Sequence, residues 1–313
     1  MTRIAVVLPA YNEEETLAAT IEGFHLVLPS ASIWVVNNRS TDRTGAIAEE
    51  TIRKLQCAGG VINEARKGKG NAVRRAFMDV DADVYVLSDA DLTYPAEQVG
   101  ELLAPVLDGR AEMVVGDRHS GGNYAIENKR ILNGVGNRLV RWLVNLLFGS
   151  NLADIMSGYR AFSRRFVKSY PILVDGFEIE TDMTLHALDK RFRIMELPVD
   201  YRDRPAGSVS KLNTLRDGIR VLATIFNILR YYRPLLFFGG IGVVLSLLGL
   251  LAGIPVVWEW LETGLIYRVP MAILASGLEI IAMLLIAIGL ILDSIAHQNR
   301  QDYERGLLAR GNG

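Results

Sequence analysis

The sequence predicts an α/β fold, a mostly parallel sheet with helices on both faces, followed by a C-terminal two-helix transmembrane hairpin. Short apolar segments rich in β-branched residues alternate with helical stretches, which is typical of parallel strands buried between helices. The second observation is the charge distribution: residues 234–292 hold only four of the 69 Asp, Glu, Lys and Arg side chains. A net charge of −1 over 313 residues hides this division. We therefore expect a charged globular part joined to a membrane part, and neither a wholly soluble protein nor a polytopic transporter.

Five strands and three helices are predicted in the globular part. The strands lie at residues 4–8, 33–36, 61–62, 84–87 and 113–115, and the helices at 14–25, 44–54 and 70–80. Ligands of open parallel sheets bind beyond the carboxyl ends of the strands, so the residues that follow each strand form the candidate site. Polar residues follow four successive strands, at 9–14, 37–42, 66–71 and 89–91. We expect them to converge on one crevice, which carries neither a dinucleotide fingerprint nor a P-loop sequence.

Two of these strand ends indicate chemistry. Asp89 and Asp91 are spaced to place carboxylate oxygens around one hard divalent cation, although most such acidic pairs are solvated turns. Lys67, Gly68 and Lys69 offer cations and close backbone approach at a helix start, either as a phosphate cradle or as an ordinary basic turn. The position of the acidic pair at the end of a buried strand favours Mg²⁺ or Mn²⁺ holding a nucleotide diphosphate.

Taken together, the motifs resemble those of a family 2 glycosyltransferase of the GT-A (Rossmann-like) fold. Within that family they resemble the polyprenyl-phosphate glycosyltransferases related to dolichol-phosphate mannose synthase, and the two-helix anchor resembles the bacterial branch that uses undecaprenyl phosphate. The matching segments span residues 4–211 and are Pro9-Ala-Tyr-Asn-Glu-Glu, Ser40-Thr-Asp, Lys67-Gly-Lys-Gly, Asp89-Ala-Asp-Leu, Asp154-Ile-Met-Ser-Gly-Tyr-Arg, Phe177-Glu-Ile-Glu, Glu196-Leu-Pro-Val and Arg204-Pro-Ala-Gly-Ser-Val-Ser-Lys.

The resemblance implies a role for each matching residue. Asp89 and Asp91 would hold Mg²⁺ or Mn²⁺, and the catalytic set would be Asp91, Asp154 and Arg118. The acceptor phosphate would be bound by Arg118, Arg130 and Lys211. The nucleotide sugar would be bound by Pro9, Ala10, Tyr11, Glu13, Asn37, Asp42, Lys67, Gly68, Lys69, Asp89, Ala90 and Arg204.

Three positions depart from the family pattern. Most relatives carry Asp at Asn37, and an amide can both donate and accept, which leaves UDP and GDP open. Some relatives have a Gln metal ligand at Thr93, where water can substitute, and a serine at Gly134. Asp154 is a candidate base or acceptor-orienting carboxylate, with a structural hydrogen bond to the Ser157–Gly158 turn as the alternative.

The implied reaction inverts the anomeric centre while a hexosyl group moves from a nucleotide-diphosphate sugar, with a UDP-sugar favoured, to a membrane polyprenyl phosphate. An anionic acceptor needs positioning and charge neutralisation more than it needs a base. One alternative is a GT-A transferase that acts on another glycolipid or on a polysaccharide, but Arg138 stands where the Q-x-x-R-W motif of processive synthases needs Gln. The other is a non-catalytic sugar-nucleotide-binding membrane protein.

Two apolar runs predict the membrane hairpin. Residues 235–258 and 269–292 would each extend roughly 36 Å as a helix, enough to cross a ~30 Å hydrocarbon core. Arginines at 230 and 233 precede the first run and three more follow the second, so both chain ends are expected in the cytoplasm. Glu279, in the second run, predicts a helix or oligomer contact.

The remaining expectations concern organisation and compartment. The boundaries are a catalytic domain at 1–211, an amphipathic juxtamembrane helix at 212–233 that would hold the crevice at the lipid surface, a hairpin at 234–292 and a tail at 293–313. The single cysteine and the short apolar start place the catalytic domain in the cytoplasm, at the inner membrane. We expect a homo-oligomer, a tetramer or dimer, and no nucleic-acid partner.

Overall fold

The computed structural model describes residues 2–120, 131–176, 178–202 and 214–310. The backbone alone is described at 131–135, 214–222 and 307–310. Two compact units divide the chain, Met1–Gly218 and Ile219–Gly313.

The first unit contains a seven-stranded sheet with helices between its strands. Its strands are β1 (Ile4–Ala10), β2 (Ser32–Asn37), β3 (Gly59–Asn63), β4 (Val84–Leu87), β5 (Met113–Asp117), β6 (Arg160–Ser163) and β7 (Ile194–Pro198). Its helices are α1 (Leu17–Val27), α2 (Thr44–Leu55), α3 (Lys69–Asp79), α4 (Val99–Leu107), α5 (Ile131–Phe148), α6 (Arg164–Ser169) and α7 (Ile179–Asp189). A 3₁₀ turn, Ala96–Gln98, precedes α4.

The strand order is β3-β2-β1-β4-β6-β5-β7, and the predicted mostly parallel sheet is confirmed. Among the strands of the described residues, β6 alone runs antiparallel to its neighbours, β4 and β5. Because of that direction, the amino end of β6 lies at the same edge as the carboxyl ends of β4 and β5. The residues just before β6 therefore join the polar residues that follow the other strands.

Parallel register aligns the strand ends that form the crevice. Ala10 of β1 pairs with Asn37 of β2, which pairs with Asn63 of β3. On the other side of β1, Val7 pairs with Leu87. Strand β4 is buried along its whole length, as is typical of a parallel strand covered on both faces.

The predicted start of α1 at residue 14 is wrong by three residues. Thr16 and Leu17 donate their N–H groups to the carbonyl of Glu13, closing a turn before the helix begins. The N–H of Glu13 itself donates to Thr44 Oγ1 at 2.9 Å. A contact with the start of α2 thus holds these residues outside the helix, and their helical composition could not show it.

The last helices are α8 (Thr214–Tyr232), α9 (Gly240–Thr263) and α10 (Val269–Arg310), with a π-helical turn at Leu235–Gly239. Two helices in the described part of the chain, Leu235–Thr263 and Val269–Gly306, are long and apolar enough to cross a membrane. The predicted loop at 259–268 is shorter than expected, because α9 continues to Thr263 and ends on Gly264 at φ +71°. The expected tail is helical as far as Arg310.

Helices α9 and α10 pack closely as an antiparallel pair. A Cβ added at Gly242 would lie 2.9 Å from the carbonyl oxygen of Ala282, so this glycine allows the two backbones to approach. Ser246 Oγ donates to Glu279 Oε2 at 2.8 Å. Glu279 is therefore a helix contact, one of the two roles its position predicted.

Candidate active site

Loops after β1 and β2 interlock at one side of the crevice. Asn12 donates its N–H to Ser40 Oγ at 3.1 Å, and its Oδ1 accepts from the N–H of Thr41 at 2.8 Å. Asn12 has a positive φ of 56°, a conformation that asparagine tolerates better than most residues. The strand ends carrying Tyr11, Glu13 and Asn37 are thus held together, as the convergence argument predicted.

The two asparagines at the end of β2 are both engaged with neighbouring loops. Asn37 donates through Nδ2 to Asn63 Oδ1 at 3.0 Å and accepts the N–H of Ser40 at 3.2 Å. Asn38, which is buried, accepts the N–H of Gly68 at 2.7 Å and donates to the carbonyl of Arg66 at 2.6 Å. The end of β2 therefore positions the basic loop that follows β3.

Asp42 lies at the start of α2. Its Oδ1 accepts the N–H of Thr44 at 3.0 Å together with the Thr44 hydroxyl, and its Oδ2 accepts the N–H of Glu14 at 3.3 Å. These bonds satisfy main-chain donors at a helix start and tie the first two polar loops together. The structure thus gives this predicted nucleotide-binding residue a folding role.

The basic loop brings Lys67 beside Tyr11 and packs its glycines on the segment before α7. Lys67 Nζ lies 5.0 Å from the centroid of the Tyr11 ring. Gly68 has φ +129°, and a Cβ there would lie 2.0 Å from the carbonyl oxygen of Asp175. That carbonyl accepts the N–H of Gly70 at 2.9 Å. The glycines therefore accommodate this neighbouring segment, which occupies part of the predicted phosphate cradle.

The acidic pair follows β4. Asp91 is buried, and its Oδ1 accepts the N–H and the hydroxyl of Thr93 at 3.2 and 2.6 Å. The Asp89 side chain is 29% exposed and ion-paired with Lys69. Within the described residues, no group of three or more His, Cys, Asp or Glu side chains is placed to hold a metal. Two carboxylates fit Mg²⁺ or Mn²⁺, because such ions keep waters and bind substrate phosphates beside one or two carboxylates.

Lys69 lies between two carboxylates. Its Nζ contacts Asp89 Oδ1, and it lies 2.5 Å from Glu180 Oε1 in α7. Burial would lower the pKa of Lys69, but the two carboxylates outweigh burial and raise it above its ordinary value. Sequence reasoning did not assign Glu180, although it belongs to the matching Phe177-Glu-Ile-Glu segment.

The turn before β6 packs against the acidic pair. A Cβ at Gly158 would lie 2.9 Å from Asp89 Oδ2, so no larger residue fits there without a shift. The N–H of Gly158 donates to the hydroxyl of Tyr94 at 3.0 Å. Arg160, fully buried, donates to the carbonyls of Ser157 and Ile155 at 2.7 and 2.8 Å and so shapes this turn.

Arg118 and Asp154 form a bidentate ion pair beside the turn. Nε lies 2.7 Å from Oδ2, and the second guanidinium nitrogen lies 2.9 Å from Oδ1. Burial favours a raised pKa for Asp154, but the Arg118 guanidinium outweighs it and lowers the pKa. Glu196 of β7 accepts the N–H groups of Ala153 and Asp154 at 2.7 and 2.8 Å. Asp154 therefore orients the Arg118 guanidinium in this structure.

Tyr201 extends the site beyond β7. The Arg118 guanidinium lies 5.6 Å from the centroid of its ring, and the ring meets Tyr94 edge-on at 5.5 Å. Three residues of the predicted site, Arg130, Arg204 and Lys211, lie outside the described residues, as does Phe177. The contacts of Glu180, Glu196 and Tyr94 were missed because each depends on residues far away along the chain.

A family model provides the assignment. Residues 5–170, more than half of the chain, match the glycosyl transferase family 2 model. The chain belongs to that family. Among curated relatives of this glycosyltransferase, the glycosyltransferase AglJ of Haloferax volcanii is 30% identical over 96% of both chains. The polyprenol monophosphomannose synthase of Mycolicibacterium smegmatis is 30% identical over 67% of this chain and 81% of its own.

A solved structure supports the fold of the glycosyltransferase. Glucosyl-3-phosphoglycerate synthase from Mycobacterium tuberculosis, in complex with Mn²⁺, UDP and glucosyl-3-phosphoglycerate, superposes with a TM-score of 0.56. The two are 23% identical over 72% of this chain and 79% of the other. The GT-A architecture implied by the sequence motifs is thereby confirmed.

Proposed function

We propose that this glycosyltransferase transfers a hexosyl group from a nucleotide-diphosphate sugar, with a UDP-sugar favoured, to a membrane polyprenyl phosphate of the undecaprenyl type. The observation that carries the proposal is the Asp89–Asp91 pair and the Asp154-held Arg118 at one edge of the sheet, in a chain with two membrane-length helices. An anion-binding arginine beside a metal-type carboxylate pair suits two phosphate-bearing substrates.

Asp89 and Asp91 would hold the metal, as Mg²⁺ or Mn²⁺. When bound, the ion supplies charge neutralisation on the diphosphate leaving group. The Mn²⁺ and UDP bound by glucosyl-3-phosphoglycerate synthase support a metal-bound UDP donor here. Tyr11 and Lys67, together at 5.0 Å, would face the donor nucleotide.

Arg118 receives the acceptor phosphate in this proposal. A phosphate oxygen attacks the anomeric carbon as the bond to the diphosphate breaks, and the nucleoside diphosphate leaves with the electron pair, inverting the configuration. The acceptor is already an anion, so the chain needs to orient it rather than deprotonate it. Asp154 keeps the Arg118 fork in place, and Arg130, Arg204 and Lys211 would supply further phosphate contacts.

The proposed acceptor lies in a membrane, and α5 supports that setting independently of the hairpin. It exposes Leu139, Trp142 and Leu146 at helical spacing, with Trp142 58% exposed. Exposed Trp and Leu on one helix face are typical of interfacial membrane helices. We propose an inner-membrane, multi-pass protein with both termini and the catalytic domain cytoplasmic, assembled as a dimer or tetramer.

Transfer of label tests the proposal. Purified protein in detergent is incubated with Mn²⁺, polyprenyl phosphate and a panel of labelled UDP- and GDP-sugars, and the chloroform-extractable label is counted. We expect label in the lipid phase with one nucleotide sugar. Asp91→Ala should lower transfer by at least about a hundredfold, while Glu112→Gln, at the opposite end of β5, should match wild type. Label in polymer would favour a polysaccharide synthase, and nucleotide binding without transfer would favour a non-catalytic protein.

A further inference from the structure

Lys69 and Glu180 form a buried pair of opposite charges directly beside the proposed metal ligands. Their side chains are 8% and 6% exposed. We propose that this pair sets the affinity of the Asp89–Asp91 site for a divalent metal, Lys69 weakening metal binding and Glu180 strengthening it. The inference rests on the proposed function, because it takes the two aspartates as the ligands.

The geometry couples Glu180 to the ligand Asp89 through one nitrogen. Lys69 Nζ contacts Asp89 Oδ1 and lies 2.5 Å from Glu180 Oε1. If the Glu180 contact is weakened, the Lys69 ammonium interacts with Asp89 alone. A metal then has to compete with a full ammonium charge for the same carboxylate.

The surroundings enclose the Lys69 side chain, which is 8% exposed. It is the first residue of α3, Glu180 is in the first turn of α7, and both are therefore placed by helices. A Cβ at Gly158 would lie 3.0 Å from Lys69 Nζ and 2.9 Å from Asp89 Oδ2, so the chain closes over the pair. Charges held this close to a metal site and shielded from water interact strongly.

The net charge of the site gives the direction in which each member of the pair changes the metal affinity. Asp89, Asp91 and Glu180 carry three negative charges against one positive charge on Lys69, which leaves two to match a divalent ion. Replacing Glu180 by Gln leaves one negative charge, and replacing Lys69 by Met leaves three. The double replacement restores two. If the ion pair were purely structural, either single replacement would instead weaken metal binding.

Metal affinity measured without transfer tests the inference. Mn²⁺ binding to the full chain in detergent, with saturating UDP and no acceptor, is followed by electron paramagnetic resonance. We expect Glu180→Gln to weaken Mn²⁺ binding roughly tenfold and Lys69→Met to tighten it by a similar factor. The double variant should return close to wild type. Glu112→Gln, which breaks an ion pair with Arg193, is the matched control and should not change the affinity.

The outcomes separate the two proposals. Weaker binding in both single variants, or equal affinities in all, overturns the inference and leaves the pair structural. If Lys69→Met does not fold, because Glu180 is left buried and unpaired, the double variant is compared with Glu180→Gln, from which it differs only at Lys69. The double variant must bind Mn²⁺ more tightly. Absence of Mn²⁺ binding to wild type with either UDP or GDP present overturns the metal assignment on which the proposed function and this inference both rest.

Discussion

At the scale of single residues, the site consists of charges that hold other charges in place. Arg118 is fixed by Asp154, whose backbone is fixed by Glu196, and Asp89 is fixed by Lys69. Each buried carboxylate here has a cationic or main-chain partner, as burial of a charge requires. A change in one member should therefore be felt through the group that it orients.

Asp154→Asn should destabilise the protein in a pH-dependent way. Because the native pKa of Asp154 is lowered, its ion pair contributes fully above the unfolded value of about 3.9 and is lost as the pH falls through the native pKa. We expect the free energy of unfolding to fall by about 3 kcal/mol at pH 7. The difference from wild type should shrink below about pH 4. Melting temperatures across pH measure this effect.

A surface carboxylate provides the control. Asp108 pairs with Arg110 and both side chains are more than half exposed, so Asp108→Asn should change the melting temperature little at any pH. A difference for Asp154→Asn that stays constant down to the lowest pH would show that lost packing, and not the charge, explains the destabilisation.

At the scale of elements, glycines allow close contacts between neighbouring segments. They bring α3 against the segment before α7, and α9 against α10. Gly70 in the first turn of α3 meets the carbonyl of Val174, and Gly249 in α9 meets Glu279. Small residues bring backbones together in both places, one in a globular unit and one in an apolar hairpin.

Gly70→Ala should destabilise the protein although alanine favours helices by about 1 kcal/mol. Its Cβ would lie 2.1 Å from the carbonyl oxygen of Val174, and such overpacking costs about 1–3 kcal/mol. The melting temperature should fall. Gly100→Ala in α4 is the control, because no atom lies within 4 Å of its Cβ, and it should leave the melting temperature unchanged or raise it. Equal responses would contradict the close approach.

Ser246→Ala should weaken the helical hairpin by about 0.6 kcal/mol, the typical contribution of one hydrogen bond between membrane helices. The lost bond joins α9 to Glu279 of α10 at 2.8 Å. Unfolding in a titration with sodium dodecyl sulfate measures the change. Ser294→Ala removes a bond within α10 only, to the carbonyl of Leu290, and should have a smaller effect.

At the scale of the whole molecule, the chain combines a unit suited to a water-soluble nucleotide with helices suited to a lipid. The boundary between the two compact units falls between residues 218 and 219, inside α8. One unit carries the described charged site and the other both membrane-length helices. The proposed reaction needs both, because its two substrates occupy different phases.

Removing residues 234–313 should leave a chain that stays in solution without detergent. Mn²⁺ and UDP should still bind, since the described ligands precede the cut. We expect transfer to long-chain polyprenyl phosphate in vesicles to fall roughly tenfold or more, because the exposed apolar side chains of α5 hold the chain at the lipid less firmly than two membrane-length helices do. A short, water-soluble polyprenyl phosphate is the control and should react as with the full chain. Undiminished transfer to vesicles would show that the hairpin is dispensable.

Local patterns predicted five of the six parallel strands, β1 to β5, and both apolar helices, because apolar runs and absent charges need no knowledge of distant residues; the parallel strand β7 was not predicted. The acidic pair was found for the same reason: it directly follows a buried strand. Strand β6 was not predicted, since its four residues begin with an arginine. Arg160 is buried there only because distant and local carbonyl and hydroxyl groups surround it.

Contacts between residues that are distant in the sequence could not be predicted from local patterns. Lys69 was expected to face phosphate, yet in the fold it contacts Asp89 and Glu180 from two other elements. Asp42 was expected to bind the nucleotide, and in the fold its carboxylate also accepts the N–H of Thr44, the first residue of α2. In both cases the local pattern predicts a ligand group, and the tertiary contacts add a supporting role that the pattern could not show.

The antiparallel strand has a consequence for biosynthesis. Strands β1 to β4 form one continuous parallel set that is complete once residue 87 has been made. Both neighbours of β5 come later in the chain, so β5 leaves the ribosome with two unpaired edges and waits for residues 160–163 and 194–198. An apolar strand with unpaired edges is prone to aggregate. We therefore expect translation pauses, or chaperones that bind the nascent chain, to have the largest effect on the yield of folded enzyme while the chain between residues 117 and 198 is being made.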